Sequence, residues 1–304
     1  MPEAYVFTAF GGPEVEGYAD LPVAEPGPGQ VRIAVRAAGV NPVDWKLRSG
    51  MMPAVADGGF PVVFGNEVAG VVEAVGPDTE DFAVGDEVFG NPLTGGYARR
   101  TLLSAALTAH KPPELSFTDA AALPVAAATA YDALRQLALP RGSTLVLVGA
   151  GGGVGVAAAQ IAAHEGIRVV GVASAGKREL VESFGAVHVA HGDGVADRVA
   201  AAAPDGVDAV LDLAGGAGLE AVASALPGVR LVTAGDPVTA GRFGGVMVER
   251  VRGADALAEV ARLAVAGVLS PGVTAVFGLD EAGRAQRSVE SGHAIGKTVI
   301  EVTA

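Results

Sequence analysis

Short stretches of alternating apolar and polar residues fill roughly the first 115 residues of the chain. Residues 31–37 alternate apolar side chains with Arg32 and Arg36, and residues 68–75 repeat an alternating pattern. A period of two is typical of a strand that buries one face. Glycine, proline, asparagine and aspartate separate these stretches at short intervals, as turns require. The first third of the chain therefore predicts a β-rich domain.

The pattern changes near Ser116, where helix and strand patterns begin to alternate. Ser116 and Asp119 precede an alanine-rich stretch, which predicts a helix over residues 120–139. Further helices are predicted at residues 154–165, 177–184, 219–226 and 255–266, and strands at residues 144–148, 168–173, 207–213 and 230–234. Such alternation indicates a parallel sheet with helices on both faces.

The last part of the chain returns to strands. Residues 273–277 and 297–302 predict strands, and residues 281–290 predict a helix between them. We therefore predict an α/β protein with two domains. Residues 1–117, completed by residues 267–304, form the β-rich domain, and residues 118–266 form a doubly wound parallel-sheet domain.

A glycine-rich segment, residues 149–155, follows the apolar strand and opens the next predicted helix. A pyrophosphate binds backbone N–H groups at a helix N-terminus, where side chains must leave room for it. Gly152, Gly153 and Val154 are therefore the candidate contacts of a dinucleotide. Ala150 stands where the strict G-x-G-x-x-G pattern has its first glycine, so a flexible turn is the alternative interpretation.

Basic residues follow the second strand of this domain. Ser174, Lys177 and Arg178 come directly after it, and the first acidic residue there is Glu179. An acid at this place holds the ribose 2′-hydroxyl of NAD, whereas serine and basic residues suit the 2′-phosphate of NADP. The sequence therefore favours NADP(H) over NAD(H). The alternative is that these are exposed residues in a first helical turn.

Two later strands of the same domain end in small residues. Leu213 and Ala214 follow one strand, and Ala234 and Gly235 follow the next. The carboxyl ends of parallel strands face the ligand crevice, so we expect these backbones to meet the ribose and the nicotinamide. Near the C-terminus, we expect Lys297 to reach the cofactor phosphates or a cap.

Composition and charge narrow the classes of partner. The chain has 304 residues, with 34 acidic and 21 basic side chains and a formal net charge of −13. It has no stripe of clustered lysine and arginine, so neither a nucleic acid nor an anionic membrane is an expected partner. The absence of cysteine excludes disulfides and thiolate zinc sites. Because the five histidines lack metal-binding spacing, no metal site is predicted.

One stretch raises the question of a membrane helix. Residues 144–163 carry no charge, and 20 such residues are long enough to span a bilayer. The glycines in the middle of this stretch favour a strand, a turn and a helix start instead. Residues 1–5 lack the basic and apolar regions of a signal peptide, so we expect a cytoplasmic protein.

Several motifs occur in order along the chain. Residues 41–46 read Asn-Pro-Val-Asp-Trp-Lys, residues 65–72 begin Gly-Asn-Glu, residues 85–88 read Gly-Asp-Glu-Val, and the glycine-rich segment follows. With the closing strand at residues 296–300, they resemble the quinone oxidoreductase branch of the medium-chain dehydrogenase/reductase superfamily, which includes zeta-crystallin. The resemblance covers nearly the whole chain. It implies a GroES-like catalytic domain, a Rossmann domain that binds NADP(H), and a cleft between them.

Departures from the zinc-dependent relatives imply that zinc is absent. Those relatives hold their ligands in segments that correspond here to residues 39–41, residues 65–67 and the neighbourhood of Val125. Residues 39–41 and 65–67 contain no cysteine or histidine. The tyrosines of some quinone reductases are also missing, and Lys46 and Met52 occupy the nearest positions. That departure bears on quinone specificity and not on hydride transfer.

The implied reaction needs a hydrogen-bond donor, because hydride addition leaves negative charge on the substrate oxygen. Asn41 is the first candidate donor, and the alternative is an asparagine that caps the turn. Lys46 is the second, and the alternative is a surface ion pair. Thr129 matches a family position near the nicotinamide, with a hydroxyl bonded within its own helix as the alternative. We expect Asp44 to order its loop and Tyr97 to pack in the core.

The predicted function is zinc-independent, NADPH-dependent reduction of a small apolar electrophile, either a quinone or an α,β-unsaturated carbonyl. One alternative is an enoyl or alkenal reductase of the same superfamily. Another is a non-catalytic NADPH-binding protein, such as a sensor or a crystallin-like protein. The resemblance also implies a homodimer, in which the apolar residues 244–248 form an edge strand that pairs with its symmetry mate.

Overall fold

The computed structural model of the chain describes residues 3–22, 24–52, 59–292 and 294–303. The chain divides into two compact units. Unit 1 comprises Met1–Val125, Arg252–Val265 and Pro271–Ala304. Unit 2 comprises Ala126–Val251 and Ala266–Ser270.

Strands and helices follow each other along the chain much as the sequence predicts. The strands are β1 Glu3–Phe7, β2 Glu16–Asp20, β3 Gln30–Val40, β4 Val62–Val63, β5 Val68–Val75, β6 Glu87–Pro92, β7 Arg100–His110, β8 Thr144–Val148, β9 Arg168–Ala173, β10 Val187–Ala190, β11 Ala209–Asp212, β12 Arg230–Thr233, β13 Val246–Met247, β14 Val273–Gly278 and β15 Lys297–Glu301. The α-helices are α1 Pro42–Arg48, α2 Phe117–Ala121, α3 Ala128–Leu137, α4 Gly153–His164, α5 Arg178–Ser183, α6 Val195–Ala202, α7 Gly216–Ala225, α8 Pro237–Arg242, α9 Ala254–Val265 and α10 Ala282–Glu290.

The boundaries of the two units differ from the predicted domain boundaries at two helices. Helix α9 belongs to unit 1, although the sequence assigns it to the parallel-sheet domain, because it packs against β7. Helix α2 also remains in unit 1, because it packs against β3 and β5. Amphipathic periodicity identifies a helix but not the sheet that its apolar face covers, so neither assignment was available from the sequence.

Unit 1 is built on a six-stranded sheet of order β14-β15-β3-β5-β6-β7, with an additional pairing of β3 and β7. A smaller sheet of order β2-β1-β4 accompanies it. In β3, Val31, Ile33 and Val35 are buried, whereas Arg36 is exposed, which confirms the predicted alternation. The C-terminal strand β15 pairs antiparallel with β3, so residues from both ends of the chain share one sheet.

Unit 2 carries a parallel sheet of order β10-β9-β8-β11-β12-β13. The chain runs outward from β8 to β10 and then returns to β11 on the other side of β8. This reversal leaves a crevice at the carboxyl ends of β8 and β11, the place where doubly wound sheets bind ligands. Every residue of β8 is buried, as expected for a strand covered by helices on both faces.

The long alanine-rich helix predicted at residues 120–139 is interrupted. Helix α2 ends at Ala121, a π-helical turn covers Leu123–Ala127, and α3 begins at Ala128. Pro124 lies inside that turn. Proline lacks a backbone N–H and clashes with the preceding turn, so an uninterrupted α-helix cannot continue through it.

The uncharged residues 144–163 form strand β8, the glycine turn and most of helix α4, as predicted. Within the described ranges, the chain has no helix that is both long and apolar enough to cross a bilayer.

A buried arginine joins three elements of unit 1. The Arg48 guanidinium, at the end of α1, donates to Glu16 of β2 and, at 2.6 Å, to Glu290 of α10. Its Nε donates to the Gly11 carbonyl at 3.1 Å. Only 2% of the side chains of Arg48 and Glu16 is exposed. The sequence offers no signal for this cluster, because Arg48 and Glu290 are far apart along the chain.

Arg48→Met leaves the Glu16 carboxylate buried without its cation. We expect the free energy of unfolding to fall by about 3–5 kcal/mol, the usual effect of removing one partner of a buried ion pair. Urea unfolding followed by circular dichroism measures the change. The matched control is Arg262→Met, whose side chain is 62% exposed and pairs with Glu259. It should lose less than about 1 kcal/mol, and equal losses in the two variants would contradict the role given to Arg48.

Candidate active site and cofactor site

The glycine-rich segment of unit 2 forms a tight loop between β8 and α4. Gly149 has a φ of 92°, in the region that favours glycine. A Cβ on Gly155 would lie 2.4 Å from the Gly149 carbonyl oxygen, so any side chain there would push the helix away from the loop. At Gly152, by contrast, a Cβ would make only an ordinary contact, 3.7 Å from the Gly149 carbonyl oxygen. The loop therefore has no room for a side chain at Gly155, where the helix packs against it, but is less crowded at Gly152.

This loop has the properties of an anion site. Helix α4 begins at Gly153, its N-cap is Gly152, and it runs for 12 residues. The first N–H groups of a helix have no partner within the helix, and its dipole favours negative charge at that end. Gly152, Gly153 and Val154 thus lie where a pyrophosphate would bind. The lack of a side chain at Gly152 and Gly153 fits the approach of such a group to the backbone.

Lys177 lies against the loop. A Cβ on Gly151 would come within 2.4 Å of Lys177 Cδ, so the aliphatic part of this lysine crosses the glycine. Burial lowers the pKa of the Lys177 ammonium. Ser174 is close by in the chain, and its carbonyl accepts a hydrogen bond from the Lys177 N–H at 3.0 Å. Arg178 is exposed and pairs with Glu182 one helical turn later, at 3.0 Å.

A buried carboxylate orders the ends of β11 and β12. Asp212 Oδ1 accepts hydrogen bonds from the N–H groups of Ala214 and Gly215, at 3.1 and 2.8 Å. Asp212 Oδ2 accepts from the Thr233 hydroxyl at 2.6 Å, and that hydroxyl accepts from the Gly235 N–H at 3.0 Å. The two predicted loops, 213–214 and 234–235, are thereby held next to each other. In the sequence, the signal for this contact is that two neighbouring strands end in polar residues, β11 in Asp212 and β12 in Thr233.

Thr129 is buried in the first turn of α3 and contacts an arginine that the sequence did not single out. Arg250 Nη1 donates to the Thr129 hydroxyl at 2.6 Å, and Arg250 Nε pairs with Asp132 at 2.8 Å. Asp132 also accepts from the Val251 N–H at 3.1 Å. Arg250 lies 121 residues from Thr129 in a segment without periodicity, so sequence reasoning had no signal for it.

Three polar side chains meet inside unit 1. Lys297 Nζ donates to Glu67 Oε1 at 2.5 Å, to Asn41 Oδ1 at 2.7 Å and to the Val40 carbonyl at 3.3 Å. Asn41 Nδ2 donates to Glu67 Oε1 at 2.7 Å. Exposure is 4% for Asn41, 0% for Glu67 and 3% for Lys297. We call Asn41, Glu67 and Lys297 the buried triad.

Sheet register explains why the buried triad forms. Asn41 directly follows β3, Glu67 directly precedes β5 and Lys297 opens β15. These three strands are antiparallel neighbours, so those strand ends share one edge of the sheet. A Cβ on Gly39 would lie 2.0 Å from Glu67 Oε1, so only glycine leaves room for the carboxylate.

The expectation for Lys297 needs correction. An ammonium group has three N–H donors, and the two triad side chains and the Val40 carbonyl use all three. Lys297 therefore serves the buried triad and not the cofactor phosphates. The sequence prediction failed because the partners of Lys297 lie 230 to 257 residues away along the chain.

The residues of the buried triad do not fit zinc. The segments that correspond to zinc-ligand positions converge on Glu67, whose Oε2 also accepts from the Val125 N–H at 2.7 Å. Zinc prefers thiolate and imidazole ligands, whereas the donors here are an amide, one carboxylate and an ammonium. In the ranges that the structure describes, no group of three or more histidine, cysteine, aspartate or glutamate side chains has metal-binding geometry.

Asp44 orders the loop next to the buried triad. Its Oδ2 accepts from the Asn41 N–H at 2.8 Å and from the Tyr97 hydroxyl at 2.9 Å, and its Oδ1 accepts from Asn66 Nδ2 at 2.5 Å. Tyr97 is fully buried and stacks on Phe64. Burial raises the pKa of the Asp44 carboxyl to about 6, against the opposite effect of these hydrogen bonds.

Asn41 lies at the N-terminus of α1, and Lys46 lies in its last turn. The backbone of Asn41 is the N-cap of the helix, whereas its side chain contacts Glu67 and Lys297, the other two residues of the buried triad. Lys46 is half-buried on the helix, and its Nζ lies 5.9 Å from the centroid of the Trp45 ring. Thr129, the third predicted catalytic residue, belongs to unit 2.

A cavity of about 530 Å³ lies within unit 1. Its walls include the apolar side chains of Phe7, Leu47 and Leu93. Asp44 and Asn66 contribute polar groups to the same lining. Mostly apolar walls with a few polar groups are typical of sites for small organic molecules.

A doubly wound parallel sheet with a glycine-rich loop, together with a GroES-like β-rich unit, defines the two-domain fold of the medium-chain dehydrogenases/reductases. The family model of the alcohol dehydrogenase GroES-like domain matches residues 27–112, and that of the zinc-binding dehydrogenases matches residues 184–300. The chain belongs to the medium-chain dehydrogenase/reductase superfamily.

Individual relatives agree with this placement. A quinone oxidoreductase of Pseudomonas aeruginosa is 40% identical over 189 residues, which cover 61% of this chain and 57% of that protein. The chain thus spans little more than half the length of that curated relative. The structure of a quinone oxidoreductase from Coxiella burnetii matches with a TM-score of 0.91 and 29% identity over 99% of both chains. A mycobacterial protein in complex with NADPH matches with a TM-score of 0.89 and 29% identity, over 99% of this chain and 100% of that one.

Asp44→Asn removes a group that binds its proton more tightly in the folded chain. The ordinary pKa of 3.8 rises to about 6 on folding, so this proton stabilises the fold most below about pH 4. That contribution is lost as the pH rises through about 6. We expect the Tm of the wild type, relative to that of Asp44→Asn, to fall from about pH 4 to about pH 7 and then to level off.

Thermal unfolding across this pH range tests the Asp44 prediction. Asp205→Asn is the control, because that side chain is 92% exposed. It should give no comparable pH-dependent difference from the wild type. A constant offset between wild type and Asp44→Asn would contradict the raised pKa.

Proposed function

We propose that the protein is a zinc-independent, NADPH-dependent oxidoreductase that reduces a quinone or an α,β-unsaturated carbonyl. The observation that carries the proposal is the glycine-rich loop at the start of α4, with Lys177 lying across Gly151. Such a loop binds a pyrophosphate, and a lysine beside it adds positive charge where a second phosphate would lie. The NADPH complex of the mycobacterial neighbour supports the same cofactor.

The rest of the cofactor is assigned to the carboxyl ends of β11 and β12. Loops 213–214 and 234–235 are fixed by Asp212 and Thr233, so they offer rigid backbone contacts for the ribose and nicotinamide. Thr129, held by Arg250, is assigned to the nicotinamide end. When bound, NADPH supplies a hydride from its C4 atom.

Asn41 is proposed as the donor to the substrate oxygen. Hydride addition to the β-carbon of an enone, or to a quinone, moves negative charge onto oxygen, where an N–H donor stabilises it. One N–H of Asn41 Nδ2 donates to Glu67, and an amide nitrogen carries two. The second N–H is the group assigned to the substrate. Lys46, half-buried on α1, is the alternative proton source.

The buried triad supports a reaction without zinc. Its positive charge is the Lys297 ammonium, which belongs to the chain itself and is neutralised by Glu67.

A homodimer is proposed through β13. This strand is the last one at the edge of the parallel sheet, and 55% of both Val246 and Met247 is exposed. An apolar edge strand pairs readily with a second copy.

Turnover tests the proposed reaction. Chelator-treated protein is mixed with NADPH and either 1,4-benzoquinone or cyclohexenone, and loss of the NADPH absorbance is followed, with NADH and enzyme-free controls. We expect enzyme-dependent oxidation, with NADPH preferred by about tenfold or more, because a phosphate contact contributes roughly 1.4 kcal/mol or more. NADPH binding without turnover on either acceptor would overturn the proposal in favour of a non-catalytic binding protein.

Lys177→Ala tests the cofactor preference. A charge-assisted hydrogen bond to a 2′-phosphate is worth about 1.5–3 kcal/mol, so the Kd for NADPH should rise about ten- to hundredfold. The Kd for NADH should change less than about threefold, because NADH lacks that phosphate.

Titration calorimetry measures both dissociation constants. The matched control is Arg168→Ala, because Arg168 lies at the start of β9, the opposite end of that strand from Lys177, and its loss should leave both dissociation constants within about threefold of the wild type. An equal loss of affinity for NADPH and for NADH would contradict the assignment of Lys177 to the 2′-phosphate.

A further inference from the structure

We propose that Lys297 is a positioning residue for catalysis. Together with Glu67, it locks the Asn41 amide in the one orientation that presents nitrogen, and not oxygen, to the substrate. This inference rests on the proposed hydride transfer. It concerns a lysine that the sequence assigned to the cofactor and that the structure places in the buried triad.

The contacts of Asn41 decide the orientation of its amide. Lys297 Nζ has only donors, so the amide atom 2.7 Å from it must be the oxygen. Glu67 Oε1 is an acceptor, so the amide atom 2.7 Å from it must be the nitrogen. Rotation of the amide by half a turn would set N–H groups against the ammonium and the carbonyl oxygen against the carboxylate. Two charge-assisted hydrogen bonds would thereby become two repulsive contacts.

The ammonium also strengthens the donor. A positive charge that binds the amide oxygen draws electron density from the amide nitrogen, and hydrogen bonds in such a chain polarise one another. The N–H group of Asn41 then binds a developing oxyanion better than an isolated amide would. The low exposure of the triad keeps water from weakening this effect.

Neighbouring backbone holds the triad in place. The Val40 carbonyl accepts from Lys297, and the Val125 N–H donates to Glu67 at 2.7 Å. Gly39 leaves the space that the carboxylate needs. Lys297 therefore cannot move away from Asn41 without leaving a buried polar group unsatisfied, which is costly.

A purely structural ion pair is the competing explanation, and the chain supplies an internal comparison. Lys111 is also buried in unit 1, with its side chain 4% exposed and its Nζ 2.8 Å from Glu87. It donates to the Leu115 carbonyl at 2.7 Å. Lys111→Met and Lys297→Met therefore both remove a buried ammonium group. Glu87 is 46% exposed and Glu67 is 0% exposed, so Lys297→Met should lower the Tm more, but only Lys297 contacts Asn41.

The experiment compares both variants in turnover of 1,4-benzoquinone with NADPH. We expect both substitutions to lower the Tm. Lys297→Met should also lower kcat by about ten- to hundredfold. This is less than the roughly hundred- to thousandfold loss that removal of an oxyanion donor causes, because the donor is misoriented and not removed. The Kd of Lys297→Met for NADPH should stay within about threefold, and Lys111→Met should keep kcat within about threefold of the wild type.

An Asn41→Ala background separates positioning from stability. If Lys297 acts through Asn41, adding Lys297→Met to Asn41→Ala should lower the Tm further without a further loss of kcat. Lys297→Gln keeps a donor at the same place and should recover part of the kcat that Lys297→Met loses. This milder variant also carries the test if Lys297→Met does not fold.

The outcomes separate this inference from the proposed function. A kcat loss in Lys297→Met no greater than in Lys111→Met, or full additivity with Asn41→Ala, overturns the positioning role alone. Wild-type protein that binds NADPH without turnover overturns the proposed function, and the positioning role with it.

Discussion

The burial of Lys297 and Glu67 together is the constraint on which the candidate active site of unit 1 depends. A charge buried alone would be prohibitive, and a buried pair is tolerated only when its hydrogen bonds are complete. Here the pair is completed by Asn41, the Val40 carbonyl and the Val125 N–H. Satisfying both charges thus fixes where β3 ends, where β5 and β15 begin and how the Asn41 amide points.

Unit 2 uses the same physical device at a different place. Asp212 is fully buried, and its carboxylate accepts hydrogen bonds from two backbone N–H groups and from the Thr233 hydroxyl. The result is a pair of rigid loops beside the crevice of the parallel sheet. In both units, a buried carboxylate converts strand ends, which would otherwise be mobile loops, into fixed positions for chemistry.

Local patterns in the sequence predicted most of the fold. The alternation in β3, the strand and helix around the glycine loop, and the ordered family motifs all depend on neighbours in the chain. Asn41 and the glycine loop were predicted as site residues for the same reason. The partners of Lys297 and of Thr129 were not predictable, because they lie more than a hundred residues away and follow no periodicity. The break at Pro124 was visible in the sequence, but the prediction gave it too little weight.

The central claim is that the chain transfers a hydride without a metal. The most direct measurement is deuterium transfer to an α,β-unsaturated ketone from NADPH that carries deuterium at both positions of C4. The protein used is first shown to be metal-free by mass spectrometry. The account predicts a saturated ketone with deuterium on its β-carbon, formed at a rate that added zinc does not increase. Unlabelled product, or product that forms only after zinc is added, would contradict it.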